Sequence, residues 1–574
     1  MLRTERFVAA GVCAITLFAV HAVSAQTVTF ENVVKSYYDG EYAAHPVAAT
    51  SAGIHDYDSK LDDMSAEGQA RNSARLHEAL TTLETLDPQR LSLADRDDRE
   101  VLIGRIKGQL LDDETVQYWH KDPGRYSRIA TLAVFGLVHR DFAPLTERMR
   151  AAISREREIP GVLTAGKVNI NHPPRAFVEI AIRNIDGSIN FYRDAAPMAF
   201  AAVDDAKLQS DFATTNAAAI AAFEGYKSFL EAQLNKADGD FALKPDAFVE
   251  RLTDNEMVDV PVAKLRQIAL RQLHKDQTAL NAAAREVDPA KSAGAVIQEL
   301  RHQHPSAERL LPTAEENLSG LRAFVSEHRI VTIPSELLPK VEETPQFMRA
   351  TTTAAMDAPG PFEQHATQAF YYVSPPDPGM TTEKLEDYLE TYYFAGLELI
   401  SAHEVWPGHF VQYLTRRSHP EWSLARKLAH AQSTAEGWAH YAEQMMIEQG
   451  LGSGDPKLKV AQLEDALLRD CRFLGSIDMH TRGKSVENVT QLFMKECGSP
   501  QAEARREAYR GTIDPGYLNY TIGKLEILKL REDYKKAKGA KFSLTEFHDQ
   551  LLAAGLVPVK IIRREMMGVD GPLL

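Results

Sequence analysis

Runs such as RNSARLHEALTTLETL, ATTNAAAIAAFEGYKSFLEAQLNK and VAKLRQIALRQLHKDQTALNAAAREV space their apolar residues three and four apart, the repeat of a helix that buries one face. Strand-like alternation is scarce. Its best candidates are FVSEHRIVTIP, ending at Pro334, and QAFYYVSPP, residues 368–376. Segments such as LDPQRLSLADRD, NINHPPR, MDAPGPFE and SPPDPGM punctuate the helices as loops, and no repeat of fixed period is found. The pattern predicts a mostly α protein with one small sheet. At 574 residues the chain is either several domains or one large bilobed body. A soft division is expected near residue 340, between a helical part (26–340) and a part carrying the chemistry (341–574).

Hydrophobic residues at 44% and charged residues at 25% are ordinary globular values. The formal charge of -15, with no Lys/Arg-rich run, excludes a nucleic-acid partner. Residues 1–25 read as a secretory signal peptide: Arg3 and Arg6, an apolar run over residues 7–20, then Val23-Ser24-Ala25 before a cut at Gln26. The run is shorter than the roughly 20 residues that span a bilayer. Cys13 lies inside it, and Val12 is too bulky for a good lipoprotein cleavage site. The expectation is a periplasmic or secreted chain with no membrane contact after cleavage. Its remaining cysteines, Cys471 and Cys497, flank a turn at residues 480–485 between two helical runs, where a disulfide is feasible; two free buried cysteines are the alternative.

HEVWPGHF, residues 403–410, resembles an opened H-E-x-x-H signature. Positions six apart on a straight helix differ by about 240°, so His403 and His409 would face apart. Pro407 removes the N–H that would bond the carbonyl of residue 403, and Gly408 tolerates the backbone that follows. The pair forces a bulge or break that can return both histidines to one side, with Glu404 aimed at a metal-bound water. Downstream, Glu436, His440 and Glu443 share one helix face within TAEGWAHYAEQMM. Glu436 is the expected third ligand. Glu443 is the alternative ligand, His440 can orient a carboxylate, and a plain solvated face is the bland reading. DPGYLNYTIG offers Tyr517 and Tyr520 as oxyanion donors or as packing residues.

HEVWPGHFVQ, EGWAHYAE and DPGYLNYTIG together resemble the bacterial domain-of-unknown-function 885 family, over nearly the whole mature chain. The last motif departs by one residue between Pro515 and Tyr520, which leaves the choice of tyrosine open. That family is similar to helical zinc peptidases such as thimet oligopeptidase, angiotensin-converting enzyme and thermostable carboxypeptidases. The resemblance implies a two-lobed helical body with a deep channel, a gluzincin site, a tyrosine donating to the oxyanion, and QAFYYV as an edge strand beside the metal.

The resulting expectation is a zinc peptidase acting on oligopeptides or dipeptides. One Zn2+ per chain sits on His403, His409 and Glu436, Glu404 is the general base, and Tyr520, or else Tyr517, is the oxyanion donor. His480 is a weak substrate-binding candidate, and Arg349, Arg416, Lys524 and Arg531 are unranked candidates for a carboxylate clamp. A zinc amidase or esterase on a non-peptide acyl substrate and a non-catalytic peptide-binding protein are the rivals. The sequence does not decide the oligomeric state.

Overall fold

The computed structural model describes residues 29–349 and 352–574; the expected leader, with Cys13, lies outside the described residues. The N-terminal half is built from helices that include α1 (Ala66–Thr85), α2 (Leu145–Asn169), α3 (Arg175–Asn190) and α4 (Ala206–Gln233). Side-chain caps start two of them: Ser65 accepts from Gly68 N at 3.0 Å and Asp205 from Leu208 N at 3.0 Å. With α5 (Val262–Val287), helices α1 and α4 cover the three long runs read from the sequence. One apolar core holds Tyr126, Met149, Ile185 and Phe223, with a smaller one around Tyr38, Leu76 and Leu102. A larger core takes in Leu265, Leu397, Trp438, Phe473 and Ile527. The body is therefore mostly helical and bilobed, and no described helix is long and apolar enough to cross a membrane.

Glu156 of α2 is fully buried in the first core. One of its carboxyl oxygens accepts from Thr215 of α4 and the other has no partner. Burial outweighs that hydrogen bond and pushes its pKa up to about 8. The folded state thus holds a proton that the unfolded chain releases near its ordinary value of 4.5. Stability falls as pH rises through this window, by on the order of 3 kcal/mol at pH 7. Glu156→Gln should therefore flatten the decline of Tm between pH 5 and pH 8. An unchanged slope would show that Glu156 does not carry it.

The sheet is small: β1 (Lys340–Glu343), β2 (Ala354–Asp357) and β3 (Phe370–Val373), in the order β1-β3-β2. β1 runs parallel to β3 and β2 antiparallel to it. FVSEHRIVTIP is not a strand. Its beginning ends a helix, Leu310–Glu327, whose Leu310, Ala314, Leu318, Leu321 and Val325 are buried at three- and four-residue spacing, and Ile330 and Val331 enter the core from a loop. QAFYYV does form a strand, with all four residues of β3 buried, but it is central because β1 and β2 both pair with it. The edge strand facing the site is β2.

The C-terminal half continues with α6 (Phe394–Glu404), α7 (His409–Ser418), α8 (Gln432–Glu448) and α9 (Pro456–Arg482). It ends with α10 (Val486–Glu496), α11 (Gln501–Ile513) and α12 (Asn519–Lys538), followed by two short helices. Gly483 stops α9 at a φ of 65°, Ser485 and Asn488 form a capping box, and α10 returns, so the expected hairpin is present. Cys471 and Cys497 are joined across it with Cα atoms 6.4 Å apart. Helices α8 and α12 cross in close contact, because a Cβ at Gly523 would lie 1.7 Å from Ser433 O.

Candidate metal centre

HEVWPGHF breaks one helix into two. His403 and Glu404 end α6, residues 405–408 turn, and His409 begins α7. The amides of Val405 and Trp406 both reach Ser401 O, at 2.9 and 3.3 Å, and Gly408 N reaches Ala402 O at 3.0 Å. The turn is so tight that a Cβ at Gly408 would lie 1.6 Å from His403 O, so only glycine fits. Trp438 of α8 pins it from outside, donating Nε1–H to Pro407 O at 2.8 Å.

The break brings the two imidazoles together with their rings near-perpendicular and 4.9 Å apart. Their Nε2 atoms stand 3.5 and 3.4 Å from one oxygen, Glu436 Oε2, and the three atoms lie within 4.8 Å of one another. Among the described residues this is the group of histidine, cysteine and carboxylate side chains that can hold a metal ion. The fit is specific. Donors about 2.0–2.1 Å from a tetrahedral ion stand roughly 3.4 Å apart, which is the spacing from Glu436 to each histidine. Glu436 Oε2 is buried, and its close polar neighbours among the described residues are the two Nε2 atoms, so all three face one point as ligand atoms do.

Each histidine is oriented through its other nitrogen. His403 Nδ1 lies 2.6 Å from Glu443 Oε1, and His409 Nδ1 lies 3.0 Å from Gln412 Oε1, leaving Nε2 of both as the ligand atom. Gln412 is held by donating to Thr434 O and Ala435 O. Glu443 is fully buried against His440 Nδ1 at 3.2 Å and Arg469 at 3.5 Å, and Lys524 Nζ stands 3.4 Å from His440 Nε2. Of the two carboxylates on this helix face, Glu436 meets the ring nitrogens on the open side and Glu443 braces His403 from behind.

Carboxylates set the charge state of the histidines here. Burial depresses His403, but the hydrogen bonds and charges of Glu436 and Glu443 outweigh it and hold the pKa above its ordinary value. Burial likewise opposes His409, which Glu436 and Glu404 lift to about 9. Burial raises Glu436, yet the facing histidines hold it well below the usual carboxylate range. The carboxylates demand a cation here, which imidazolium or a metal ion supplies.

A cavity of about 960 Å³ opens on this cluster and is lined by His403, Glu404, Tyr520 and Thr352 to Ala355. Glu404 Oε2 accepts from Met356 N of β2 at 2.8 Å. Tyr520, in the first turn of α12, lies with its ring 6.2 Å from that of His403, and its hydroxyl accepts from Arg510 at 3.2 Å. Burial and the Glu436 charge push its pKa up to about 12. Tyr517 is fully buried with an unpartnered hydroxyl and does not line the cavity. His480 is buried elsewhere, with Nε2 on Gly511 O at 2.8 Å and Nδ1 accepting from Leu243 N at 3.3 Å. None of Arg349, Arg416, Lys524 and Arg531 lines the cavity; the arginines that do include Arg469, Arg472, Arg506 and Arg510. The sequence reading gave no role to Gln412, although its place three residues after His409 put it on the same helix face.

Residues 46–566 match the family described as bacterial protein of unknown function (DUF885). The chain belongs to this family. No curated protein matches this DUF885 member. Solved structures share its fold, among them two bacterial proteins. A "putative lipoprotein of unknown function" from Shewanella oneidensis is 24% identical with a TM-score of 0.78, over 94% of this chain and 100% of that one. A "putative lipoprotein" from Colwellia psychrerythraea is 18% identical with a TM-score of 0.78, over 94% and 98%. Both descriptions agree with the extracytoplasmic location expected for this DUF885 chain. They overturn the expectation of no membrane contact after cleavage, since a lipoprotein is held at a membrane by its acyl chains.

Proposed function

We propose that this chain is an extracytoplasmic zinc peptidase of the helical gluzincin kind that hydrolyses short peptides. The observation that carries the reading is the convergence of two imidazoles on one buried carboxylate oxygen, beside a cavity that His403, Glu404 and Tyr520 line. Three protein donors meet there among the described residues, the number that catalytic zinc sites use, whereas structural sites close with a fourth. The His-His-Glu donor set suits zinc.

When bound, zinc supplies Lewis-acid chemistry, polarising a carbonyl and lowering the pKa of a water from about 15.7 towards 7. Glu404, adjacent to His403 and without an ion pair among the described residues, takes the proton of the attacking water and returns it to the leaving amine. Arg510 donates to the Tyr520 oxygen, which leaves the phenolic proton free to point at the developing oxyanion. Along β2, Met356 N faces away from β3 towards Glu404, and Ala354, two residues earlier, presents its backbone on the same edge. That edge can pair with an extended peptide, which favours a peptide over a non-peptide acyl substrate. The cavity volume excludes folded proteins.

The test is mass spectrometry of a mixed peptide library incubated with the zinc-loaded protein and with its Glu404→Gln variant. Products confined to the wild type support a peptidase, and identical product lists from the two would end this reading. Tyr520→Phe should lower kcat about 10²–10³-fold. Tyr517→Phe, which removes a hydroxyl with no partner, should leave kcat within about threefold. The reverse ranking would transfer the oxyanion role to Tyr517.

A further inference from the structure

Most charges on the cavity wall cancel in pairs. Arg128 meets Asp122 at 3.0 Å, Arg301 meets Glu464 at 2.6 Å, and Arg472 meets Glu507 at 2.7 Å. Arg510 meets Asp514 at 3.1 Å, and Arg469 meets Asp465. Of the other lining acids, Glu503 stands 3.5 Å from Arg301, which it shares with Glu464, and Glu390 stands 2.7 Å from the ring of His302. Three lining arginines are left without a carboxylate in direct contact.

They are Arg183, Arg505 and Arg506. Among the described residues the Arg506 side chain makes no hydrogen bond or ion pair, although its charge reaches Tyr388, Tyr392, Glu503 and Glu507 around the cavity. Arg183 of α3 and Arg505 of α11 stack on Tyr509, each 5.1 Å from its ring, and Arg505 is otherwise bonded only to the Tyr509 hydroxyl at 3.1 Å. A chain with a formal charge of -15 therefore keeps three guanidinium groups without a direct carboxylate partner on the wall of this cavity, although the Tyr509 hydroxyl beside two of them donates to Glu179 at 2.6 Å. Their distance from the metal cluster is legible along α11. Arg510 touches the Tyr520 hydroxyl, and Arg506 lies one helical turn, about 5.4 Å, before it. That is a reach of a few residues of extended peptide at about 3.3 Å each.

We propose that Arg506, flanked by Arg183 and Arg505, forms a carboxylate-binding subsite, so that the preferred substrates are short peptides carrying a carboxylate a few residues from the scissile bond. The proposal rests on the peptidase reading for its substrate class. Guanidinium groups recognise carboxylates through paired, charge-assisted hydrogen bonds. A terminal carboxylate and an acidic side chain share that chemistry.

Three probes separate the sources: a pentapeptide with a free C-terminus, its C-terminal amide, and the same amide with one glutamate. Their affinities are measured by calorimetry on the zinc-loaded Glu404→Gln protein, which binds without turnover, with and without Arg506→Gln. One carboxylate probe should bind about 10–100-fold tighter than the plain amide, and which one does so identifies the source. Arg506→Gln should cut that ratio to about threefold or less without changing amide affinity, and Arg506→Lys should restore part of it. A ratio of one in the parent, a ratio untouched by Arg506→Gln, or no binding of any probe overturns the subsite. The wild type on the same probes judges the peptidase reading separately. Arg506-dependent binding with no cleavage would sink the activity and keep the subsite, and cleavage indifferent to carboxylates would do the reverse.

Discussion

Replacing Glu404 by glutamine should cut turnover of any cleaved peptide by about 10³-fold while leaving zinc content and fold intact. The size follows from chemistry: the amide cannot accept the water's proton, so the general-base contribution disappears. Intactness follows from geometry. The glutamine oxygen can still accept from Met356 N, now at 2.8 Å from Glu404 Oε2, so the tie between α6 and β2 survives. Neither Glu404 oxygen belongs to the three-atom cluster, so metal binding should hold. Turnover, metal content by elemental mass spectrometry and Tm should be read on one preparation. Turnover near the wild-type value would remove Glu404 from the mechanism, and loss of metal would make it a ligand instead.

The second large effect is on the metal itself. His403→Ala, His409→Ala and Glu436→Ala should each return from dialysis with little or no zinc, whereas Glu443→Gln should retain it with an affinity lowered roughly 10–100-fold, as when a partner that orients a ligand is lost. Glu436 Oε2 lies 3.4–3.5 Å from both Nε2 atoms, while Glu443 touches only the far nitrogen of His403. Glutamine is the better replacement at 443 because alanine would leave Arg469 and His440 facing a hole in a fully buried site. Zinc titration with a competing chromophoric chelator orders the variants. A Glu443→Gln protein weaker than Glu436→Ala would exchange the roles of the two carboxylates.

The pair Glu436 and Glu443 marks the boundary of what the sequence could decide. They stand seven residues apart, nearly two helical turns, so any helical reading places both on one face. The choice between them belongs to α6, which brings His403 to α8 with Nε2 towards Glu436 and Nδ1 towards Glu443. The two tyrosines behave alike. Both follow the turn at Pro515, and only the packing of α12 against α8 and α9 leaves Tyr520 on the cavity and Tyr517 in the core.

The chain alone determined its helical character, because apolar spacing over twenty or more residues is a local signal that burial then rewards. It also determined that the helix must break within HEVWPGHF, since Pro407 and Gly408 impose their backbone wherever they occur. Tertiary structure decided what local rules cannot reach. The four-residue strands β1 and β2 are too short to show alternation, and their order around β3 is set by pairing partners far away in sequence. The arginines of the cavity without a carboxylate partner became visible only once pairs such as Arg301 with Glu464 and Arg472 with Glu507 had formed across the fold.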